Sequence, residues 1–151
     1  MYKLRREQFF PISINIAWDF FSSPENLEKI TPPGMDFKII SGLDGSSIKD
    51  GQILVYTVKP MMSIPMRWKS KIINVAKPNH FTDVQLAGPY SVWEHSHRFI
   101  TVEGGVKMID EVDYKLPGGI LGRLMHSLYV RKKLEHIFDY RHSILEKLFR
   151  K

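Results

Sequence analysis

The chain contains no cysteine, which excludes disulfide cross-links and thiolate catalysis and fits a reducing compartment. It has no apolar run approaching the roughly 20 residues that a membrane-spanning helix needs. The opening stretch, Met1 to Phe10, is basic but is not followed by an apolar segment of signal-peptide length, so a soluble cytoplasmic protein is expected. Repeats, low-complexity tracts and linkers are missing as well. So are a glycine-rich cofactor loop and an activated nucleophile. Non-covalent acid–base chemistry is then the one catalytic type to consider, and no cofactor is expected. What remains is a chain of 151 residues, 43% hydrophobic and 12% aromatic, enough for one domain with a real core, spanning 1–151.

Proline is also absent from Gly119 to Phe149, and there the apolar residues recur at helical spacing. A line from Ile120 through Leu124, Leu128, Leu134, Phe138, Leu145 and Leu148, flanked by Leu121, Met125, Ile137 and Ile144, predicts one uninterrupted amphipathic helix. The opposite line carries His126, Tyr129, Lys132, Lys133, His136 and Lys147 and reads as the wet face. Pro117-Gly118-Gly119 supplies the start, and a helix of this length is about 45 Å long. The net charge of +6 is concentrated here: from Ile120 onward there are eight Lys/Arg and three acids. Without interleaved aromatics or glycines, this basic face reads as solvated rather than as a nucleic-acid footprint.

Upstream, Tyr2 to Phe10 alternates as a first strand. Ser13 reads as the N-cap of a short helix with Ile16, Ala17, Phe20 and Phe21 at helical spacing. Ser23-Pro24 starts a second helix, which turns Leu27 and Ile30 inward and ends before Pro32-Pro33. From Met35 the period changes to two. Strands are predicted over Asp36 to Ser41, Gln52 to Lys59, Pro65 to Val75, His80 to Ala87, Ser91 to Val102 and Val106 to Leu116. Connections this short require antiparallel neighbours. The expected architecture is α+β: a curved seven-stranded antiparallel sheet wrapped round the long C-terminal helix, with the two short helices between strands 1 and 2 closing one end.

Alternation also sorts the faces. Arg67, Lys69 and Lys71 must point out, so Met66, Trp68, Ser70 and Ile72 point in. The same logic turns Leu54, Tyr56 and Val58 inward, then Phe81, Asp83 and Gln85, then Trp93, His95, His97 and Phe99. On the last strand it turns in Val106, Met108, Asp110, Val112 and Tyr114. Six polar side chains among aromatics and methionines need partners, water or a ligand, because each unsatisfied one costs about 1–3 kcal/mol. A pocket of adaptable apolar walls, including Met66, Met108 and Met125, with a few convergent polar groups is the expectation.

The element order, together with FFSSPENLEKITPPGMDFKI (Phe20 to Ile39), IPMRWKSKI (Ile64 to Ile72), GPYSVWEHSHRF (Gly88 to Phe99) and the stretch Leu121 to Phe149, resembles the helix-grip fold of the START/SRPBCC superfamily. That superfamily includes the birch-pollen-allergen-like proteins and the polyketide cyclase/dehydrase and lipid-transport group. More narrowly, the chain resembles the small bacterial ligand-binding members. Similar domains sit beside epimerase-like domains in proteins described as cell-division inhibitors. The resemblance implies a fold that serves carriers of hydrophobic ligands, cyclases, dehydratases and protein-binding modules alike.

The leading expectation is therefore a cavity between sheet and C-terminal helix for a small hydrophobic molecule: a lipid, a polyketide-like compound or an aromatic metabolite. Its lining is expected from Tyr56, Trp68, Ser70, Phe81, Asp83, Gln85, Trp93, His95, His97, Met108, Asp110, Tyr114, Leu134, Phe138 and Arg141. His95 and His97 share a face about 6.6 Å apart. They are candidates for general acid–base catalysis of a cyclase or dehydratase type, or for hydrogen-bonded lining. As metal ligands they would need Asp83 or Asp110 as a third donor, and no metal is assigned. Arg141 either pairs with Asp83 or Asp110, as buried charges normally do, or takes an anionic group of a ligand. A third possibility is an interaction module that uses Arg123, Arg131, Lys132, Lys133 and Lys147 against RNA, an anionic membrane or an acidic partner. The sequence carries no signal for oligomeric state.

Overall fold

A computed structural model describes residues 1–60 and 64–150; the expected connection Pro60 to Ile64 falls partly outside them. Strand β1 (Tyr2–Phe10) leads into helix α1 (Ile14–Phe21), a 3-10 segment (Pro24–Ile30) and a single 3-10 turn (Pro33–Met35). The meander follows: β2 (Lys38–Ser41), β3 (Ile53–Val58), β4 (Met66–Ala76), β5 (His80–Ala87), β6 (Val92–Val102) and β7 (Gly105–Lys115). The chain then runs through α2 (Gly119–Met125), a π-helical turn (His126–Val130) and α3 (Arg131–Phe149).

Local chemistry accounts for the short helices. The Ile16 N–H donates to Ser13 Oγ at 3.2 Å, capping α1 as the sequence suggests. The second helix forms as a 3-10 segment, with Pro24 at its start and Pro32 and Pro33 just beyond its end. Trp18 of α1 is buried edge-on between Phe81 and Phe99, at 5.8 and 6.1 Å, and fixes the helix against the sheet. Truncating an aromatic so buried costs about 3–5 kcal/mol.

The seven strands lie in the order β1-β7-β6-β5-β4-β3-β2, all pairs antiparallel. In β4 the register with β5 shifts between Lys69 and Ser70 and again between Ile73 and Ala76. Such irregularities bend a strand and increase its twist, and here they curl the sheet round α3. The fold is the helix-grip arrangement expected, a curved antiparallel sheet around a C-terminal helical stretch of 31 residues. Among the described residues, no helix is long and apolar enough to cross a membrane.

One expectation fails in this helical stretch. It is not a uniform helix, and its first third does not bury the apolar stripe. Ile120, Leu121, Leu124 and Leu128 are exposed at 78%, 68%, 52% and 66%, and Met125 is exposed too, whereas Gly122, His126 and Val130 are buried. The π-helical turn is the reason. Adding a residue to one turn rotates everything before it by about 100°, the angular step of an α-helix. Leu134, Phe138 and Leu145 therefore face the sheet while Leu124 and Leu128 face away from it.

Contacts to the sheet hold this phase. The Tyr114 hydroxyl and His126 Nε2 are hydrogen-bonded at 2.7 Å, and the His126 ring stacks on Tyr2 with centroids 3.4 Å apart. Burial lowers the His126 pKa. A side chain on Gly122 would collide with the Pro117 carbonyl oxygen, so glycine lets α2 sit against the end of β7.

Candidate functional site

Between the inner face of the sheet and α3 lies a cavity of about 160 Å³. Its walls are mostly apolar. Leu54, Val58, Trp68 and Ile72 come from β3 and β4, Leu134, Ile137 and Phe138 from α3, and Phe20, Phe21, Leu27 and Ile30 from the short helices at one end. Tyr56, Ser70, Asp83, His95, His97 and Arg141 also line it. The polar groups thus share one wall region, on β3 to β6 and the facing turn of α3.

Register explains the densest part of this region. Asp83 is opposite His95 across β5 and β6, and His97 is opposite Asp110 across β6 and β7. The hydrogen bonds run diagonally: His95 Nε2 donates to Asp110 Oδ1 at 3.0 Å, and His97 Nε2 donates to Asp83 Oδ2 at 2.9 Å. His97 Nδ1 also lies 3.0 Å from Asp110 Oδ1, outside hydrogen-bond alignment, and His95 Nδ1 lies 3.8 Å from Asp83 Oδ2. The imidazole rings are 3.8 Å apart, and His97 stacks on Phe81 at 4.3 Å.

Electrostatics separates the two histidines. Burial and the neighbouring His97 charge push the His95 pKa down against the pull of Asp110. Burial also acts against the charge on His97, but the adjacent carboxylates of Asp110 and Asp83 outweigh it and raise its pKa. For both carboxyls burial is likewise opposed, and overcome, by the histidine hydrogen bonds, which hold Asp83 and Asp110 below the usual carboxylate range. In the same region, burial and the charge of Asp83 raise the pKa of Tyr56, whose hydroxyl lies 3.3 Å from Ser70 Oγ.

Arg141 does not form the expected ion pair. Among the described residues no carboxylate lies within 4.0 Å of it, its Nε is buried without an acceptor, and its guanidinium carbon sits 4.8 Å above the Phe138 ring. The physical reason is competition, since the imidazoles of His95 and His97 already occupy Asp83 and Asp110. Trp68, another lining residue, also has a buried Nε1 without an acceptor.

Eleven of the side chains expected at the cavity lie on its wall: Tyr56, Trp68, Ser70, Phe81, Asp83, Trp93, His95, His97, Leu134, Phe138 and Arg141. Four do not. Gln85 turns aside to clamp the connection to β6, donating to the Tyr90 carbonyl at 2.7 Å and accepting from the Tyr90 N–H at 3.1 Å. Met108 and Asp110 are inward but lie beyond His97, bordering a smaller hollow against Gln8 and Leu145. Tyr114 is committed to His126. Of the methionines expected in the wall, Met66 and Met108 do not border the main cavity and Met125 is exposed, whereas Met35 does border it. Sequence reasoning missed Phe37, Ile48, Tyr90 and Ile137 as lining. Ile48 belongs to no periodic segment and is placed by its N–H donating to the Ser22 carbonyl at 2.9 Å. Tyr90 had one available signal, an aromatic directly after Gly88-Pro89 in a turn.

No family model and no curated protein sequence matches the chain. Solved structures do match in shape. A START superfamily protein from Mycobacterium smegmatis aligns with a TM-score of 0.71 at 12% identity, covering 98% of this chain and 99% of that one. A major latex-like protein from Panax ginseng aligns with a TM-score of 0.70 at 14% identity, covering 99% and 98%. A Chromobacterium violaceum protein aligns with a TM-score of 0.75 at 8% identity, covering 100% and 99%. On these likenesses in shape, the chain has a START-like helix-grip fold.

Proposed function

We propose that the protein binds a small, largely apolar molecule carrying one anionic oxygen group, with the apolar body among Leu54, Trp68, Ile72, Leu134 and Phe138 and the anionic end at Arg141. The observation that carries this reading is Arg141 itself: a buried arginine on the wall of an apolar cavity, its Nε without an acceptor and, among the described residues, no carboxylate in reach. Leaving such a donor unpaired costs about 1–3 kcal/mol, a cost that a ligand carboxylate would remove with a charge-assisted hydrogen bond. The volume of about 160 Å³ sets the scale of the body. Apolar cavities of about 150 Å³ take up benzene, so a single ring or a short chain is the fit.

The test uses Trp68 and Trp93, both on the cavity wall, as fluorescence reporters. Octanoate should bind at least 10-fold more tightly than octanol, and phenylacetate than phenylethanol, with the preference lost in Arg141→Met. Equal affinity for acid and alcohol removes the anionic end from the proposal. Failure of all four compounds, with nothing retained in native mass spectrometry of freshly purified protein, removes ligand binding altogether.

A second reading, catalysis of a cyclase or dehydratase type, is favoured by the His97–Asp83 pair, because the Asp83 side chain is 20% exposed while His97 holds it at 2.9 Å. Proton transfer at a bound hydroxyl compound needs such a pair at the wall. Turnover of hydroxyacyl esters followed by mass spectrometry, abolished in His97→Ala, separates this reading from binding alone.

A further inference from the structure

We propose that Asp83, His95 and His97 form a binding site for a divalent first-row transition-metal ion of the Fe2+, Co2+ or Zn2+ type, with Asp110 as the shared outer partner of both imidazoles. The imidazole nitrogens are divided between the two carboxylates.

Each imidazole has one nitrogen directed to Asp83 and the other to Asp110. On the Asp83 side, His97 Nε2 and His95 Nδ1 lie 2.9 and 3.8 Å from the same oxygen, Oδ2. On the Asp110 side, His95 Nε2 and His97 Nδ1 each lie 3.0 Å from Oδ1. Asp83, His95 and His97 line the cavity, whereas Asp110 lies behind them. Metal-bound histidines are held in this way, with one nitrogen on the ion and the other donating to a carboxylate that fixes tautomer and ring orientation.

Distances and lone pairs agree with this order. One donor atom from each of Asp83, His95 and His97 lies within 4.8 Å of the others. Donors about 2.1 Å from a tetrahedral ion are about 3.4 Å apart, and the two distances to Asp83 Oδ2 bracket that value. When His95 Nε2 donates to Asp110, its Nδ1 presents a lone pair toward the Asp83 carboxylate, and a cation is what stabilises that juxtaposition. The ion would replace the proton that otherwise bridges His97 Nε2 and Asp83 Oδ2. His97 Nδ1, now without an aligned partner, would donate to Asp110. Two imidazoles and one carboxylate suit borderline transition ions better than Mg2+ or Ca2+. The remaining coordination positions would face the cavity, open to water or a ligand oxygen.

The inference stands independently of apolar-ligand binding. A protein that takes up the ion but no apolar compound keeps this site and loses the proposed function. The experiment is calorimetric titration of EDTA-stripped full-length protein with Zn2+ and, separately, Co2+, with visible ligand-field bands of Co2+ as a second readout. One ion per chain is expected, with affinity reduced at least 100-fold in His95→Gln and in His97→Gln and about 10- to 100-fold in Asp110→Asn. The exposed residues His136 and His142 serve as controls, and their alanine variants should bind as the parent does. Absence of 1:1 binding in the parent, or equal binding by a folded His95→Gln/His97→Gln double variant, overturns the site. Should the double variant fail to fold, Co2+ bands in the parent that lack nitrogen ligation overturn it equally.

Discussion

Arg141 shows how a single residue separates stability from function. Its side chain is buried, stacks on Phe138 and, among the described residues, meets no carboxylate, so it is held at a cost. Replacing an incompletely compensated buried charge with an apolar group of similar volume is often neutral or stabilising. Arg141→Met is therefore expected to raise the unfolding free energy of the ligand-free protein by about 1 kcal/mol, measured by urea denaturation, while it abolishes the preference for acids. A loss of stability would mean that the guanidinium is compensated by the field of Asp83. Alternation in the sequence placed Asp83, His95, His97 and Asp110 on inward faces, but not which nitrogen meets which oxygen. Those pairings run diagonally across three strands and depend on the register of β5, β6 and β7. Gln85 shows the limit of alternation: its backbone has the inward phase, yet its amide satisfies the Tyr90 backbone groups.

At the scale of elements, strand positions were legible to within a residue or two because period-two alternation and glycine or proline turns are local signals. The helix was legible in extent but not in phase. An α-helical period extended through Gly119 to Phe149 aligns Ile120 and Leu124 roughly with Leu134 and Phe138, and only the π-helical turn at His126–Val130 separates them. The structure therefore predicts opposite outcomes for two neighbouring leucine-like positions. Leu128→Ser should change stability by no more than about 0.5 kcal/mol, as exposed substitutions do. Val130→Ala, at a site 1% exposed, should cost about 1–3 kcal/mol through lost burial and a residual cavity. Thermal or urea unfolding of the two variants decides the phase, and a larger cost at Leu128 would restore the uninterrupted helix.

For the whole molecule, the buried apolar residues form one cluster around Phe10, Trp18 and Phe99 and another around Trp68, Tyr114 and Phe138, and the cavity is lined by residues of both. A ligand that fills the space bridges both clusters and binds only the folded state. By mass action, octanoate at 100 times its dissociation constant should stabilise folding by about 2.7 kcal/mol and raise Tm accordingly. Differential scanning calorimetry across a concentration series checks this, and a Tm independent of octanoate contradicts binding to the native fold.

The amino-acid order by itself determined the element sequence, the antiparallel meander and the inward set of aromatic, imidazole and carboxylate side chains, because these follow from turn chemistry and from periods of two and 3.6 acting over short stretches. Tertiary structure alone decided the rotation of the first helical third, the hollow between sheet and α3, the position of Asp110 behind the histidines and the burial of Arg141 Nε without an acceptor among the described residues. Each of these depends on contacts between residues far apart in the chain, such as His126 with Tyr2 and Tyr114 and the curl that β4 imposes on the sheet. Local sequence pattern does not encode such contacts.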